Sequence, residues 1–154
     1  MSSEAANLGL VRPPVVYLVS IGLGLMLQRI WALTLLPASV NVPIGVLLVL
    51  AAAALFVSSV RMFRKAGTSV PGNRPTTAIV RAGPYAFSRN PIYLAFTLFQ
   101  IGLAAWINSI ALLLMVVPAA ALMAFVVVPR EERYLDARFP TEYAAYKQAV
   151  RRWL

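Results

Sequence analysis

Residues 109–135 run SIALLLMVVPAAALMAFVVVPREERYL, and the point at which this stretch turns from hydrocarbon to charge decides the fold. Its first part, 109–128, carries no charged side chain. A helix rising 1.5 Å per residue needs about twenty such residues to cross ~30 Å of bilayer hydrocarbon. Pro118 sits inside that span, where a kink is expected. Beyond Pro129 the sequence continues Arg130-Glu131-Glu132-Arg133 with no spacer, which sets paired carboxylates at the bilayer boundary.

Reading outward from this span, three further apolar stretches of comparable length cover 14–36, 43–60 and 91–106. The chain is therefore expected to be an all-α integral membrane protein with about four transmembrane helices and a single membrane domain over 1–154. Pro13-Pro14 suits the start of the first helix, where missing amide protons cost nothing. Gln28 and Arg29 interrupt that helix near its end, close enough for Arg29 to snorkel to the interface. The run Ala51 to Ala54 lets a neighbouring helix approach closely. Ile107-Asn108 makes the turn into the fourth span.

Composition agrees. Hydrophobic residues make up 60% of the chain, mean hydropathy is +0.76, and charged residues reach only 12%. Soluble domains carry roughly 25% charged residues, so this chain lacks the polar surface to cover a globule in water. Its net charge of +9 fits anionic lipid headgroups and cytoplasmic loops better than nucleic acid. Four spans place thirteen of the fourteen Lys and Arg on one side. The positive-inside rule then sets both termini, the loop 61–90 and the tail 130–154 in the cytoplasm, at what is expected to be a bacterial inner membrane.

Cysteine and histidine are absent, which excludes disulfides, Cys/His metal sites, thiol nucleophiles and Ser-His-Asp triads; no metal site is expected. Residues 1–12 lack the pattern of a removable signal sequence. Gly22-Leu23-Gly24 lies in an apolar span and is no dinucleotide fingerprint. Tail residues Tyr143, Tyr146 and Val150 recur at helical spacing, so the tail reads as an amphipathic helix with Lys147 and Arg151 free to reach water or headgroups.

The chemistry concentrates in two places. The loop holds Arg81, then Gly83-Pro84-Tyr85, then Ser88-Arg89-Asn90-Pro91-Ile92-Tyr93. Gly83-Pro84 forces a turn, Pro91 suits the first turn of the third helix, and Ser88 or Asn90 is placed to cap it. A helix start flanked by Arg81 and Arg89 serves either as a plain cap touching lipid phosphate or as a carboxylate or phosphate site. Where the fourth span ends, Glu131 and Glu132 point about 100° apart on a helix, so they cannot serve one ligand atom. They serve either ordinary ion pairs with Arg89, Arg130 or Arg133, or a ligand. A basic helix start beside an acidic helix end fits a zwitterion.

These residues resemble the isoprenylcysteine carboxyl methyltransferase and phospholipid N-methyltransferase superfamily of membrane enzymes. The resemblance rests on Gly83-Pro84-Tyr85, Arg89-Asn90-Pro91-Ile92-Tyr93, Glu131-Glu132-Arg133-Tyr134-Leu135, and Phe139, Glu142-Tyr143 and Tyr146, in matching order over about 75 residues. Asn90 stands where the family often has His, and Pro140 where it usually has Gly; Asn keeps hydrogen bonding but offers no titrating imidazole. The resemblance implies S-adenosylmethionine as cofactor and a lipophilic methyl acceptor entering from the bilayer, an isoprenylcysteine-like carboxylate, a lipid amine or a thiol. It implies catalytic roles for Glu131, Glu132 and Arg89. Arg81, Gly83, Pro84, Tyr85, Asn90, Pro91, Tyr93 and Tyr134 join those three around the cofactor. Membrane sterol reductases that use NADPH are similar around Arg-x-Pro-x-Tyr, so a reductase stands as the alternative enzyme, and a lipid-binding scaffold as the non-enzymatic one. The acceptor and the oligomeric state are not legible in the sequence.

Overall fold

The computed structural model describes residues 11–70 and 75–154; the N-terminal signal-sequence reading falls largely outside them, as does Arg74. Among the described residues every regular element is helical. Three helices are long and apolar enough to cross a membrane, Pro13–Ile30 (α1), Asn41–Lys65 (α2) and the continuous run Ile110–Arg138, and a shorter apolar helix covers Pro91–Ile107 (α3). The chain is an all-α integral membrane protein.

Helix ends depart from the expected ones for local reasons. The first helix does not reach residue 36 but stops at Ile30. Leu36 precedes Pro37, which disfavours the helical conformation there. The segment is instead held by Asn108, which adopts a left-handed conformation with φ 60° at the end of α3. Asn108 Oδ1 accepts the amides of Leu35 and Leu36 at 2.8 and 2.7 Å, and its Nδ2 donates to Leu36 O at 2.9 Å. Arg29 is exposed in the last turn of α1, where a cation suits the helix dipole. The second helix starts at Asn41 and continues past residue 60 to Lys65, so Arg61, Arg64 and Lys65 are helical and the loop begins later than expected.

The α2–α3 pair makes the most extensive contact in the molecule. It closes on small residues: a Cβ on Gly45 would collide with the Trp106 backbone, and one on Gly102 would lie 2.9 Å from Leu48 Cβ. Polar groups inside the apolar bundle are mostly paired among themselves. Ser109 Oγ accepts from Leu112 N at 3.0 Å and donates to Gln28 Oε1 at 2.7 Å, so the glutamine that interrupts the first span has a partner. Gln100 Nε2 donates to Ser20 Oγ at 2.8 Å, and Ser20 Oγ donates to Met115 O at 2.7 Å.

The fourth span and the start of the tail form one helical run of 29 residues rather than two separate elements. It breaks at Met115 between Ile110–Leu114 (α4) and Val116–Leu122 (α5), three residues ahead of Pro118. Met123–Val127 form a π-turn, and Val128–Arg138 (α6) follows. Pro129 offers no amide proton to Phe125 O, and the helix loosens in the turn just before it. The extra residue turns α6 by about 100° relative to an uninterrupted helix. The amphipathic tail helix, α7, is confined to Pro140–Ala149, with the chain re-entering helix at Phe139-Pro140. Its apolar face, Tyr143 and Tyr146 with Val150, packs on Ile79, Leu135 and Phe139 of the protein itself. Lys147 is not free: Nζ pairs with Asp136 Oδ1 at 2.6 Å.

Candidate functional site

At the charged end of the bundle five parts of the chain enclose a cavity of about 70 Å³. Phe63 contributes from the end of α2; Thr76, Val80, Tyr85, Arg89 and Asn90 from the loop; Tyr93 from α3; Glu131, Glu132 and Leu135 from α6; and Tyr143 and Tyr146 from α7.

The loop is positioned by a 3-10 turn, Gly83–Ala86, which opens on Gly83 at φ 61°. Only glycine takes that conformation at no steric cost, and the turn buries Tyr85 edge-on against Phe63 at 5.1 Å between ring centres. Tyr146 Oη donates to Tyr85 O at 2.7 Å, fixing α7 to this turn. Arg81 does not line the cavity. It donates to Glu142 O at 2.6 Å and stacks on the Tyr146 ring, so it holds α7 from outside. Gly83, Pro84, Pro91 and Tyr134 also lie outside the lining. Pro91 is buried as the first residue of α3, and Tyr134 Oη accepts from Thr76 N at 3.2 Å.

Neither Ser88 nor Asn90 caps α3. Ser88 Oγ accepts from Asn90 N at 3.1 Å, and the Asn90 side chain instead donates to Arg152 O at 2.9 Å. Pro91 has no amide proton, and those of Tyr93 and Leu94 go to Asn90 O. The amide end of the helix is therefore largely occupied, and anion binding falls to the Arg89 side chain. Arg89 N donates to Arg151 O at 3.0 Å, so the segment 150–153 is strapped across the loop.

The two adjacent glutamates have opposite surroundings. Glu132 is neutralised twice: Arg152 Nη2 and Nε lie 2.6 and 3.1 Å from its two oxygens, and Arg89 Nη1 lies 3.1 Å away. Glu131 is 6% exposed and accepts one hydrogen bond, from Tyr93 Oη at 2.5 Å; among the described residues no cation pairs with it. A buried carboxylate with one neutral donor is an expensive arrangement that a cation would relieve.

Unmet demands of the other kind line the same cavity. Arg89 Nη1 is near Glu132 but not aligned for a hydrogen bond, and Arg89 Nε and Thr76 Oγ1 have no partner among the described residues. Thr76 is 1% exposed. Three buried polar atoms thus await an acceptor or donor, and buried polar groups are rarely left so. Burial pushes the Tyr143 hydroxyl up to about 12, with Glu132 adding to it and Arg89 opposing. Burial also raises Tyr85 and Tyr146, so all three stay neutral donors at physiological pH.

Of the residues expected around the cofactor, the lining includes Tyr85, Arg89, Asn90, Tyr93, Glu131 and Glu132. Sequence reasoning missed Thr76, which sits in a loop with no motif, and Arg152, whose only signal was a pair of tail arginines. Tyr143 and Tyr146 showed as an apolar periodicity and as part of the family pattern, and neither was assigned to the site.

The sequence profile of the phospholipid methyltransferase family matches residues 40–142, from the start of α2 into α7. The cobalt-zinc-cadmium resistance protein CzcN of Cupriavidus metallidurans is 37% identical over 73 residues, which are 47% of this chain and 33% of CzcN; the chain thus spans about a third of that relative. A Haemophilus influenzae protein described as uncharacterized is 39% identical over 64 residues, 41% of this chain and all of that protein. No solved structure matches.

Proposed function

The chain belongs to the phospholipid methyltransferase family, within the isoprenylcysteine carboxyl methyltransferase superfamily, and from that premise we propose that it transfers a methyl group from S-adenosylmethionine to a lipophilic acceptor at the membrane surface. The carrying observation is the polarity of the charged-end cavity. A buried carboxylate without a cation, Glu131, lines it together with the Arg89 guanidinium, whose Nε has no hydrogen-bond partner among the described residues, and the unpartnered hydroxyl of Thr76.

The residues present fit the methionyl end of the nucleoside. Arg89 and Thr76 would hold its carboxylate, and Glu131 its ammonium. When bound, the sulfonium supplies a methyl carbon open to in-line displacement, the sulfur leaving with the bond's electron pair. Tyr93, Tyr85 and Tyr143 would exclude water and present aromatic faces to the cationic centre, an attraction of ~0.5 to 2 kcal/mol. Holding donor and acceptor in line is the largest contribution such a site makes, about 7 to 11 kcal/mol where alignment is good. A carboxylate or thiolate acceptor needs no base; an amine must lose a proton, to a glutamate or to water.

A cavity of about 70 Å³ is about half the ~150 Å³ that takes up a benzene ring, so binding of the whole nucleoside requires the 150–153 strap and the loop to part. The asymmetry of Lys and Arg supports a cytoplasmic charged end, in a bacterial inner membrane. Calorimetric titration of the detergent-purified protein with S-adenosylhomocysteine, with NADPH as parallel ligand, tests the reading. Saturable one-to-one binding of the nucleoside alone is expected; binding of NADPH alone would replace the methyltransferase reading by a reductase.

A further inference from the structure

We propose that the segment 150–153 is a lid on the charged end, latched by Arg152 on Glu132, and that it opens when the Arg152 guanidinium passes to the phosphate of an anionic lipid at the membrane surface. The inference rests on the reading that the cavity beneath binds the nucleoside, and adds what admits it.

The chain leaves α7 at Val150 in an extended conformation and crosses the loop on few ties. Arg89 N donates to Arg151 O at 3.0 Å, and Asn90 Nδ2 donates to Arg152 O at 2.9 Å. Among the described residues the one charged tie is that of Arg152, whose Nη2 and Nε meet the two oxygens of Glu132 at 2.6 and 3.1 Å. Glu132 has a second cation, the Arg89 guanidinium at 3.1 Å. Losing Arg152 therefore leaves this carboxylate still paired, which makes Arg152 the tie that can be given up. The Arg152 side chain is 44% exposed against 13% for Glu132, so an anion reaches it without entering the cavity.

Trp153 sets the height of the segment. It is half-buried and packs against the core cluster that includes Tyr17 of α1, Tyr93 of α3 and Met123 of the fourth helix. Tyr17 stands in the second turn of α1 and Tyr93 in the first of α3, so the indole lies where the apolar spans begin, the depth that tryptophan favours at a bilayer surface. Leu154 and Phe87 are 79% and 77% exposed, and Arg151 is exposed beside Arg152 with no ion pair among the described residues. Two arginines among exposed apolar side chains match a headgroup layer that carries negative charge, because a phosphate takes a guanidinium in the same forked geometry as a carboxylate. A half-exposed ion pair and an arginine at an anionic leaflet are of similar worth, so the exchange of partners is close to balanced and lipid charge tips it.

The Arg89 amide reports the lid directly, since its acceptor is Arg151 O. The full chain is placed in nanodiscs of phosphatidylcholine, or of an equal mixture with phosphatidylglycerol at matched ionic strength. Hydrogen exchange at Arg89 is followed by fragment mass spectrometry, and S-adenosylhomocysteine association is measured on the same discs. Both are expected to run about fivefold faster in the anionic discs, the worth of one well-formed surface ion pair. Arg152→Gln should be fast in both lipids, whereas Arg130→Gln, which removes another exposed positive charge from the same end, keeps the lipid response. Equal exchange in the two lipids, or an Arg89 amide as protected in Arg152→Gln as in the parent, overturns the proposal. So does equal speeding of the parent in phosphatidylcholine by inorganic phosphate, which assigns the anion to solution. Failure of S-adenosylhomocysteine to bind while Arg89 exchange responds to lipid defeats the methyltransferase reading and leaves the lid standing.

Discussion

The α2–α3 pair and the charged end are held together by different means. The helix pair is closed by small residues: Gly45 against Trp106 and Gly102 against Leu48, with Ala52 only 1% exposed. Its stability is a matter of volume. The charged end has few such contacts and is tied by single side chains reaching distant backbone: Tyr146 to Tyr85 O, Arg81 to Glu142 O, Asn90 to Arg152 O, Arg138 Nε to Thr76 O at 2.7 Å. Volume can be read from a run of small and apolar residues. Ties across 60 positions of sequence cannot. A frame closed by packing tolerates little change, whereas ties of about 1 kcal/mol each can be opened one by one, which a site that must admit a ligand requires.

The largest effect should come from Gly45→Val, which puts methyl groups into the Trp106 backbone. Overpacking of this kind costs about 3 kcal/mol, and a thermal melt in detergent should show a deep loss of stability and yield. A melt like that of the unsubstituted protein would remove the packing half of the comparison.

Next come the glutamates, which divide the two functions inside the charged end. Glu132→Gln leaves Arg89 and Arg152 without their counter-charge; with Arg152 44% exposed, the cost is discounted to about 2 kcal/mol. Glu131→Gln keeps a partner for Tyr93 and should melt within ~1 kcal/mol of the parent while losing about tenfold or more in S-adenosylhomocysteine affinity. Equal melting curves for the two variants would show that the neighbours are not differently employed. The smallest effect is that of Tyr146→Phe, which strips one donor from the buried Tyr85 carbonyl and should cost about 1 kcal/mol, measured by chemical denaturation in mild detergent.

Legibility in the sequence follows the same division. The four apolar stretches and the charge at residue 130 were plain, because bilayer thickness demands uniform runs and nothing else in the chain imitates them. Their ends were not: residues 31–36 are as apolar as a helix needs, but Asn108 claims their amides from 72 positions away. The π-turn at Met123–Val127 leaves no mark in composition, yet it decides which way Glu131 faces. At the site, Arg89, Tyr93, Glu131 and Glu132 stood out because charge and aromatics at a bilayer boundary are costly without a purpose. Arg81 stood out equally and turned out to hold α7, since a cation near a helix start looks the same whether it binds a ligand or a carbonyl. Thr76 reaches the cavity, and Arg152 reaches Glu132, only through the folded loop and strap.

The most direct measurement is ultraviolet crosslinking of S-adenosylmethionine labelled on its methyl group to the detergent-purified chain, followed by mapping of the labelled peptides. The account predicts label on peptides covering residues 75–93 and 131–146, suppressed by excess S-adenosylhomocysteine and lost in Glu131→Gln. Label confined to the α1 or α2 peptides, or no suppressible label in folded protein, would contradict it.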